Sequence, residues 1–249
     1  MIRLKTKEEI EVIKEGGRRL REVIKELLPQ IKAGVTTKQI DNKAAELIRK
    51  MGGEPSFKKV DDYFWSTCLP INEQIVHTPP SDRIIKESDI LTIDIGMYYK
   101  DFHTDFADTI AVGKVDEKVE SFLETGKKTL ELAIKKVKKG VRLGEISQTI
   151  QNEIEEAGYS LVKQLTGHGI GRDLHEDPSI PGFLDRPKEK TLVIKPGLVI
   201  AIEVIYAMGD GAMVHESHDD WSIRTADRSL SACFEHTVAV TDNETLVLT

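Results

Sequence analysis

Residues 90–112 read ILTIDIGMYYKDFHTDFADTIAV, and this stretch decides the fold. Its first part, residues 90–95, is rich in β-branched side chains and predicts a strand. A second strand is predicted from Phe102 to Val112, after a short turn at Lys100 and Asp101. We expect the two strands to pair as a hairpin.

Helices and further strands surround this hairpin. Helices are predicted from a capping box at Thr6 to near Pro29, from Thr36 or Thr37 to Gly52, from Asp116 to Gly140, and around Ile146 to Gly158. Three more strand-like runs are Leu161 to Leu165, Leu198 to Ala207, and Ala232 to Val240. The order of two helices, a hairpin, two helices and strands indicates two α+β halves, approximately 1–112 and 113–249. No linker separates them, so the sequence predicts one compact domain, residues 1–249, with an antiparallel sheet backed by helices.

Composition narrows the class of protein. The chain has 249 residues, with 39% hydrophobic and 31% charged residues, as expected for a soluble globular protein. A net charge of -7 argues against general binding of a nucleic-acid backbone, and the lysines at 127–139 are interpreted as a solvated helix face. Neither a signal peptide nor a membrane-spanning run is visible, and two distant cysteines do not make a disulfide framework. We expect a cytoplasmic protein.

Carboxylates interrupt three otherwise apolar strands. They are Asp94, Glu203 and Glu235. An unpaired buried carboxylate costs several kcal/mol, so each needs a cationic partner or a metal ion. For Asp94 alone, a position at a strand edge is the alternative.

Asp105 strengthens the metal hypothesis. It follows Asp94 by eleven residues, and a hairpin can bring both side chains to one face. Two neighbouring carboxylates repel each other strongly at low dielectric. A dinuclear metal site would relieve this repulsion.

The glycine-rich stretch at residues 167–171 contains His168, and His175 follows seven residues later. The glycines allow close approach of the backbone to another group. A phosphate-binding loop is the alternative, but the stretch lacks the GxxxxGK[ST] pattern. The histidine spacing also differs from HExxH, which disfavours a mononuclear zinc peptidase.

Other candidates are weaker. His236 should face away from Glu235 on a regular strand, and His215 and His218 lie in a polar segment that favours solvated positions. No GxSxG elbow indicates serine chemistry. Cys68 has no neighbour in sequence that marks it as an activated nucleophile.

In this order and with their flanking residues, these candidate ligands resemble those of the type I methionine aminopeptidases. The resemblance rests on Asp94, Asp105, residues 167–171 and 175–178, Ile202-Glu203, and residues 231–237. It extends over nearly the whole chain, including residues 7–10, Gly16-Gly17, Asn72-Glu73 and Val76-His77.

The resemblance implies a pita-bread fold and removal of the initiator methionine. It implies that Asp94 chelates one divalent ion, that Asp105 and Glu235 bridge two, and that His168 and Glu203 complete the other ion's shell. It further implies that His77 and His175 face the substrate and that Trp221, Cys68, Tyr63 and Phe57 line the methionine pocket. A monovalent cation would lie near Asn72 and Ser231. Cobalt, manganese, iron and zinc all suit such ligands.

Four positions depart from the usual family pattern. Thr78 begins Thr-Pro-Pro where Gly-Ile-Pro is usual, and Val204 replaces a proline. Val60 and Leu174 stand where aromatic residues are common, which predicts a looser side-chain pocket and less strict methionine specificity.

Two alternatives share the fold. One is an Xaa-Pro peptidase, which resembles a longer chain with an additional N-terminal domain for which this chain has no room. The other is a non-catalytic binding module, which would usually have lost ligands. We expect a monomer that acts on nascent peptides, with transient ribosome contact and no nucleic-acid specificity or membrane partner.

Overall fold

Four α-helices lie along the part of the chain that the computed structural model describes, residues 2–217 and 219–249. They are α1 (Lys7–Leu27), α2 (Thr37–Lys50), α3 (Glu117–Lys136) and α4 (Gly144–Glu156). The capping box of α1 is confirmed: Thr6 accepts from the backbone N–H of Glu9, and the Glu9 side chain accepts from the backbone N–H of Thr6. None of these helices is long and apolar enough to cross a membrane.

The strands form one large sheet and one small hairpin. They are β1 (Glu54–Pro55), β2 (Thr67–Cys68), β3 (Ile90–Tyr99), β4 (Phe102–Ala111), β5 (Ser160–Leu161), β6 (Thr166–Gly169), β7 (Glu176–Pro181), β8 (Val199–Ala207), β9 (Met213–His215), β10 (Ile223–Thr225), β11 (Ser231–Val240) and β12 (Thr245–Val247). The order in the large sheet is β1-β3-β4-β11-β8-β6-β7, and all of its pairs are antiparallel. Strands β2, β5 and β12 pair with β3, β8 and β11, while β9 and β10 form the hairpin.

Helices cover the sheet in two groups. Apolar residues of α1 and α2, such as Leu20 and Ile48, pack in one core with Ile93 of β3. In the second core, Phe122 of α3 packs with Ile200 of β8. Burial of each such side chain contributes about 1.5–3 kcal/mol. The predicted α+β class, an antiparallel sheet backed by helices, is confirmed.

The strand predicted from Leu161 to Leu165 is wrong for most of its length. Only Ser160 and Leu161 pair with β8, and one further backbone bond joins Val162 to Ile205. The chain then turns into β6, which the sequence did not predict. Because β6 is short and contains two glycines, its propensity for strand is low.

Strands β4 and β11 join the two groups at the middle of the sheet. They pair directly at only two positions, Glu235 with Ala107 and His236 with Phe106. Beyond these, Thr237 Oγ1 accepts from the Asp105 N–H and donates to the Asp105 carbonyl, both at 2.9 Å. A side chain therefore replaces ladder hydrogen bonds at this junction.

Candidate metal centre and substrate cavity

The β3–β4 hairpin places Asp94 and Asp105 on one face of the sheet. Asp94 lies opposite Ala107, and Asp105 lies opposite Gly96. Because cross-strand partners share a face and alternate residues return to it, both carboxylates point the same way. On the other side of β3, Cys68 pairs with Asp94 and joins that face.

Strands β8 and β11 bring a second pair of carboxylates to the same face. Glu203 and Glu235 are direct cross-strand partners. Glu235 is also opposite Ala107, so a row of Asp94, Ala107, Glu235 and Glu203 crosses four strands. The small Ala107 leaves space between the acidic side chains. Sequence reasoning did not identify Ala107, and its only signal was a small residue among larger ones in β4.

His168 completes this face from β6. It pairs with Ala201, two residues before Glu203, and its Nε2 lies 3.5 Å from Glu203 Oε1. The flanking glycines are required because a Cβ on Gly167 would lie 2.6 Å from the Ala201 carbonyl, and one on Gly169 only 2.2 Å from that of Asp177. The group that the glycines approach is thus the backbone of neighbouring chain segments.

Asp94, Asp105 and Glu235 are buried, and the side chain of Glu203 is 13% exposed. Burial, reinforced by the neighbouring carboxylates, raises the pKa of Asp94, Asp105 and Glu235 well above the usual range. The same causes raise the pKa of Glu203 to about 8. In the described parts of the chain, no lysine or arginine lines the cavity at this face.

The donor set suits divalent cations. Ligand atoms of Asp105, His168 and Glu235 all lie within 4.8 Å of one another. Glu235 Oε1 is buried and has no hydrogen-bond partner among the residues that the structure describes. A buried oxygen of this kind costs free energy unless another group satisfies it. Four carboxylates and one imidazole match the preference of manganese, iron, cobalt and zinc for oxygen and nitrogen ligands.

The acidic face forms the floor of a cavity of about 100 Å³. All five predicted metal ligands line it, and so do the predicted substrate residues His77, His175, Trp221, Cys68, Tyr63 and Phe57. Val60, Val76 and Leu174 complete the lining. One side of the cavity is therefore polar and charged, whereas the other is apolar and aromatic.

Tyr63 organises the apolar wall. Its ring lies 5.1 Å from that of Trp221 and 6.2 Å from that of Phe57, both in edge-to-face contact. Its hydroxyl donates to the Thr67 carbonyl at 2.8 Å and contacts Cys68 Sγ at 3.1 Å. Burial raises the pKa of the Cys68 thiol, which opposes a role as thiolate nucleophile.

Two histidines stand at the cavity beside the acidic floor. His77 has a left-handed backbone conformation, with φ of 62°. This conformation is unusual for a residue other than glycine, and the sequence pattern does not predict it. Burial, together with His175, lowers the pKa of His77 to about 4. The His175 ring lies 4.5 Å from that of His168 in edge-to-face contact. Near neutral pH, His77 is therefore uncharged.

Other singled-out residues lie outside the cavity lining. His236 faces away and packs 5.4 Å from the Phe106 ring, as predicted from strand alternation, and His215 is exposed. His218 lies outside the described residues. Asn72 and Ser231 are joined by a 2.9 Å backbone bond from the Ser231 N–H to the Asn72 carbonyl.

Known proteins resemble this chain in sequence and in fold. The family description "Metallopeptidase family M24" matches residues 11–242. Methionine aminopeptidase 1 of Bacillus subtilis is 38% identical over 249 residues, which are 100% of this chain and 99% of that protein. A methionine aminopeptidase structure from Thermotoga maritima superposes with a TM-score of 0.96 at 36% identity, covering 100% of this chain and 99% of the other.

A prolidase from Pyrococcus furiosus is also similar, at a lower level. Its TM-score is 0.78 at 25% identity, and the match covers 99% of this chain and 65% of the prolidase. The large sheet and its helices are therefore shared with peptidases that carry other names. The solved methionine aminopeptidase matches over a larger share of its length and at a higher identity.

Proposed function

This chain belongs to metallopeptidase family M24, as a type I methionine aminopeptidase of pita-bread fold, and on that premise we propose which side chains carry out its reaction. It is a hydrolase that removes the initiator methionine from polypeptides. The main support for this assignment is that four carboxylates and one imidazole converge at the floor of one cavity, and that no lysine or arginine is among the described residues that line it.

We assign the five polar floor residues to two divalent ions. Asp94 would chelate one ion, Asp105 and Glu235 would bridge both, and His168 with Glu203 would complete the coordination of the other ion. When bound there, such ions would supply Lewis-acid polarisation of the scissile carbonyl and activation of a water nucleophile. Glu203 is placed to accept a proton in the same step, because its carboxylate lies on the cavity floor among the other proposed ligands.

His77 and His175 act on the peptide bond itself. His77 is neutral, so its ring N–H can donate to the scissile nitrogen as that nitrogen becomes an amine, without placing a positive charge beside the ions. His175, at the rim of the acidic floor, donates to the carbonyl oxygen as negative charge develops there. Each such donor is worth about 10²–10³ in rate in comparable sites.

The apolar wall binds the methionine side chain. Phe57, Tyr63, Cys68 and Trp221 present rings and sulfur to a flexible thioether. Val60 and Leu174 leave more space than aromatic residues would, so we propose that close apolar relatives of methionine are also accepted. The free α-amino group of the substrate would bind one of the ions, which restricts cleavage to the first residue.

A peptide panel tests the proposed specificity. We expect the purified protein, loaded in turn with cobalt, manganese, iron or zinc, to cleave Met-Ala-Ser and to leave Ala-Pro-Ser intact. Norleucine-Ala-Ser should also be cleaved, at a rate within about 200-fold of that for Met-Ala-Ser, since a change of this size in an apolar pocket alters discrimination by about 10–200-fold. Preferential cleavage of Ala-Pro-Ser with every metal would instead support the hypothesis that the protein is an Xaa-Pro peptidase.

We further infer that the protein works as a single-domain monomer in the cytoplasm, where nascent chains emerge, with transient contact to ribosomes. A monovalent cation near Asn72 and Ser231 would stabilise the segment that leads to His77. Light scattering, co-sedimentation with ribosomes and a potassium titration of thermal stability test these three points. A stable dimer, absence from the ribosome pellet and indifference to potassium would each contradict one of them.

A further inference from the structure

Lys5 and Glu176 form an ion pair that is almost fully buried. Lys5 Nζ lies 2.6 Å from Glu176 Oε2, and the two side chains are only 2% and 3% exposed. The partners are 171 positions apart in sequence, so the contact joins the extended N-terminal segment to the first residue of β7. A buried pair is not explained by stability alone, because the desolvation of both charges offsets their attraction.

The pair holds the loop that carries His175. Glu176 follows His175 directly, and its Oε1 accepts from the backbone N–H groups of Arg172 at 2.7 Å and Asp173 at 3.2 Å. One carboxylate thus closes the loop of residues 170–175 with one oxygen and binds Lys5 with the other. Both Leu174 and His175, which this loop presents, line the cavity.

Lys5 is itself fixed to the sheet. Its backbone N–H donates to the Gly197 carbonyl at 2.7 Å, and the Gly197 N–H donates to Val240 of β11 at 2.8 Å. Its alkyl stem crosses the loop so closely that a Cβ on Gly171 would lie 2.2 Å from Lys5 Cε. The position of the ammonium group is therefore set by hydrogen bonds that connect Lys5, through Gly197, to β11, the strand that carries Glu235.

We propose that Lys5 and Glu176 are positioning residues, which set the location of His175 relative to the acidic floor. This inference rests on the proposed role of His175. Displacement of a catalytic group by about 1 Å can reduce the rate by about 10²-fold, so the pair acts on turnover without contacting the substrate. Arg3 and Asp173 form a second ion pair to the same loop at 2.8 Å, but they are 50% and 58% exposed. That exposed pair supplies a matched control.

The test uses Lys5→Met, Glu176→Gln and their double variant in the metal-loaded protein. In Glu176→Gln, the amide oxygen still accepts from Arg172 and Asp173, so the loop closure is kept while the bond to Lys5 is lost. We expect kcat on Met-Ala-Ser to fall roughly 10- to 100-fold in each single variant, with KM and metal content nearly unchanged. The double variant should be no slower than the slower single variant, whereas Arg3→Met should retain the wild-type kcat.

A second cycle with His175→Ala separates positioning from general stabilisation. In the His175→Ala background, Lys5→Met should change kcat by less than about twofold, because the group that it positions is already gone. If Lys5→Met lowers kcat by the same factor in the His175→Ala background as in the wild-type protein, the inference is wrong. It is also wrong if only one of the two single variants, Lys5→Met or Glu176→Gln, has a lower kcat. If His175→Ala itself keeps full activity, the proposed role of His175 fails instead. Should Lys5→Met not fold, Glu176→Gln carries the same cycle.

Discussion

The β3–β4 hairpin and the β8–β11 pair each supply two carboxylates to the site, but they do so by different routes. Asp94 and Asp105 lie on strands joined by a turn at residues 100–101, so local chain geometry sets their spacing. Glu203 and Glu235 lie on strands separated by residues 208–230, which include the β9–β10 hairpin and Trp221. The β3–β4 hairpin contributes only to the acidic floor of the cavity. The segment that connects β8 to β11 also contributes Trp221 to the apolar wall.

The largest effect is expected from removal of a bridging charge. Asp105→Asn should abolish tight metal loading and lower turnover by about 10³-fold or more, since the carboxylates on either side of the junction share the ions. Metal content and kcat should fall together. Asp108→Asn is the control, because Asp108 lies on the same strand, faces away from the floor and pairs with Lys127 at 3.6 Å. Full activity with metal still bound in Asp105→Asn would defeat the assignment.

His77→Ala should keep both ions and lose about 10²-fold in kcat, because His77 acts on the peptide bond without ligating metal. Its control is His215→Ala, which removes an exposed histidine. Steady-state kinetics and elemental analysis of both variants check this prediction. If His77→Ala loses its metal, the role assigned to His77 is wrong.

Trp221→Ala tests the part of the apolar wall that the segment between β8 and β11 contributes. We expect KM for Met-Ala-Ser to rise about tenfold or more with a smaller change in kcat, since an apolar contact contributes mainly to binding. Phe64→Ala serves for comparison, because Phe64 is 71% exposed and does not line the cavity. An unchanged KM in Trp221→Ala would place the methionine side chain elsewhere.

How far the sequence predicts the molecule also differs between these regions. The hairpin, the four helices and the acidic residues in apolar strands follow from periodicity and from the cost of buried charge. Strands β6, β7, β9 and β10 do not, because they are short and are stabilised by partners distant in sequence. The left-handed backbone of His77 and the pairing of Lys5 with Glu176 likewise depend on tertiary contacts.

The smallest effect concerns the junction between the strand pairs. Thr237→Val should lower the free energy of unfolding by about 1–3 kcal/mol, because the backbone N–H and carbonyl of Asp105 lose their shared partner. Ser231→Ala, at the other end of β11, is a useful comparison, since Ser231 Oγ donates to the Gln74 carbonyl and leaves the junction intact. Denaturant unfolding of both variants measures the difference. A Thr237→Val protein as stable as wild type would show that the backbone pairs alone hold the junction.

Titration of the metal-free protein with a divalent ion addresses the central claim directly. Calorimetry should give two sites per chain, with Met-Ala-Ser hydrolysis absent at the start and rising with occupancy. The increase in the free energy of unfolding that metal binding produces should be larger at pH 8 than at pH 6. The raised pKa values let the metal-free carboxylates keep protons at the lower pH, so their repulsion grows as pH rises. Hydrolysis that persists in the metal-free protein would contradict the account. So would wild-type metal binding by variants in which the proposed ligands are replaced.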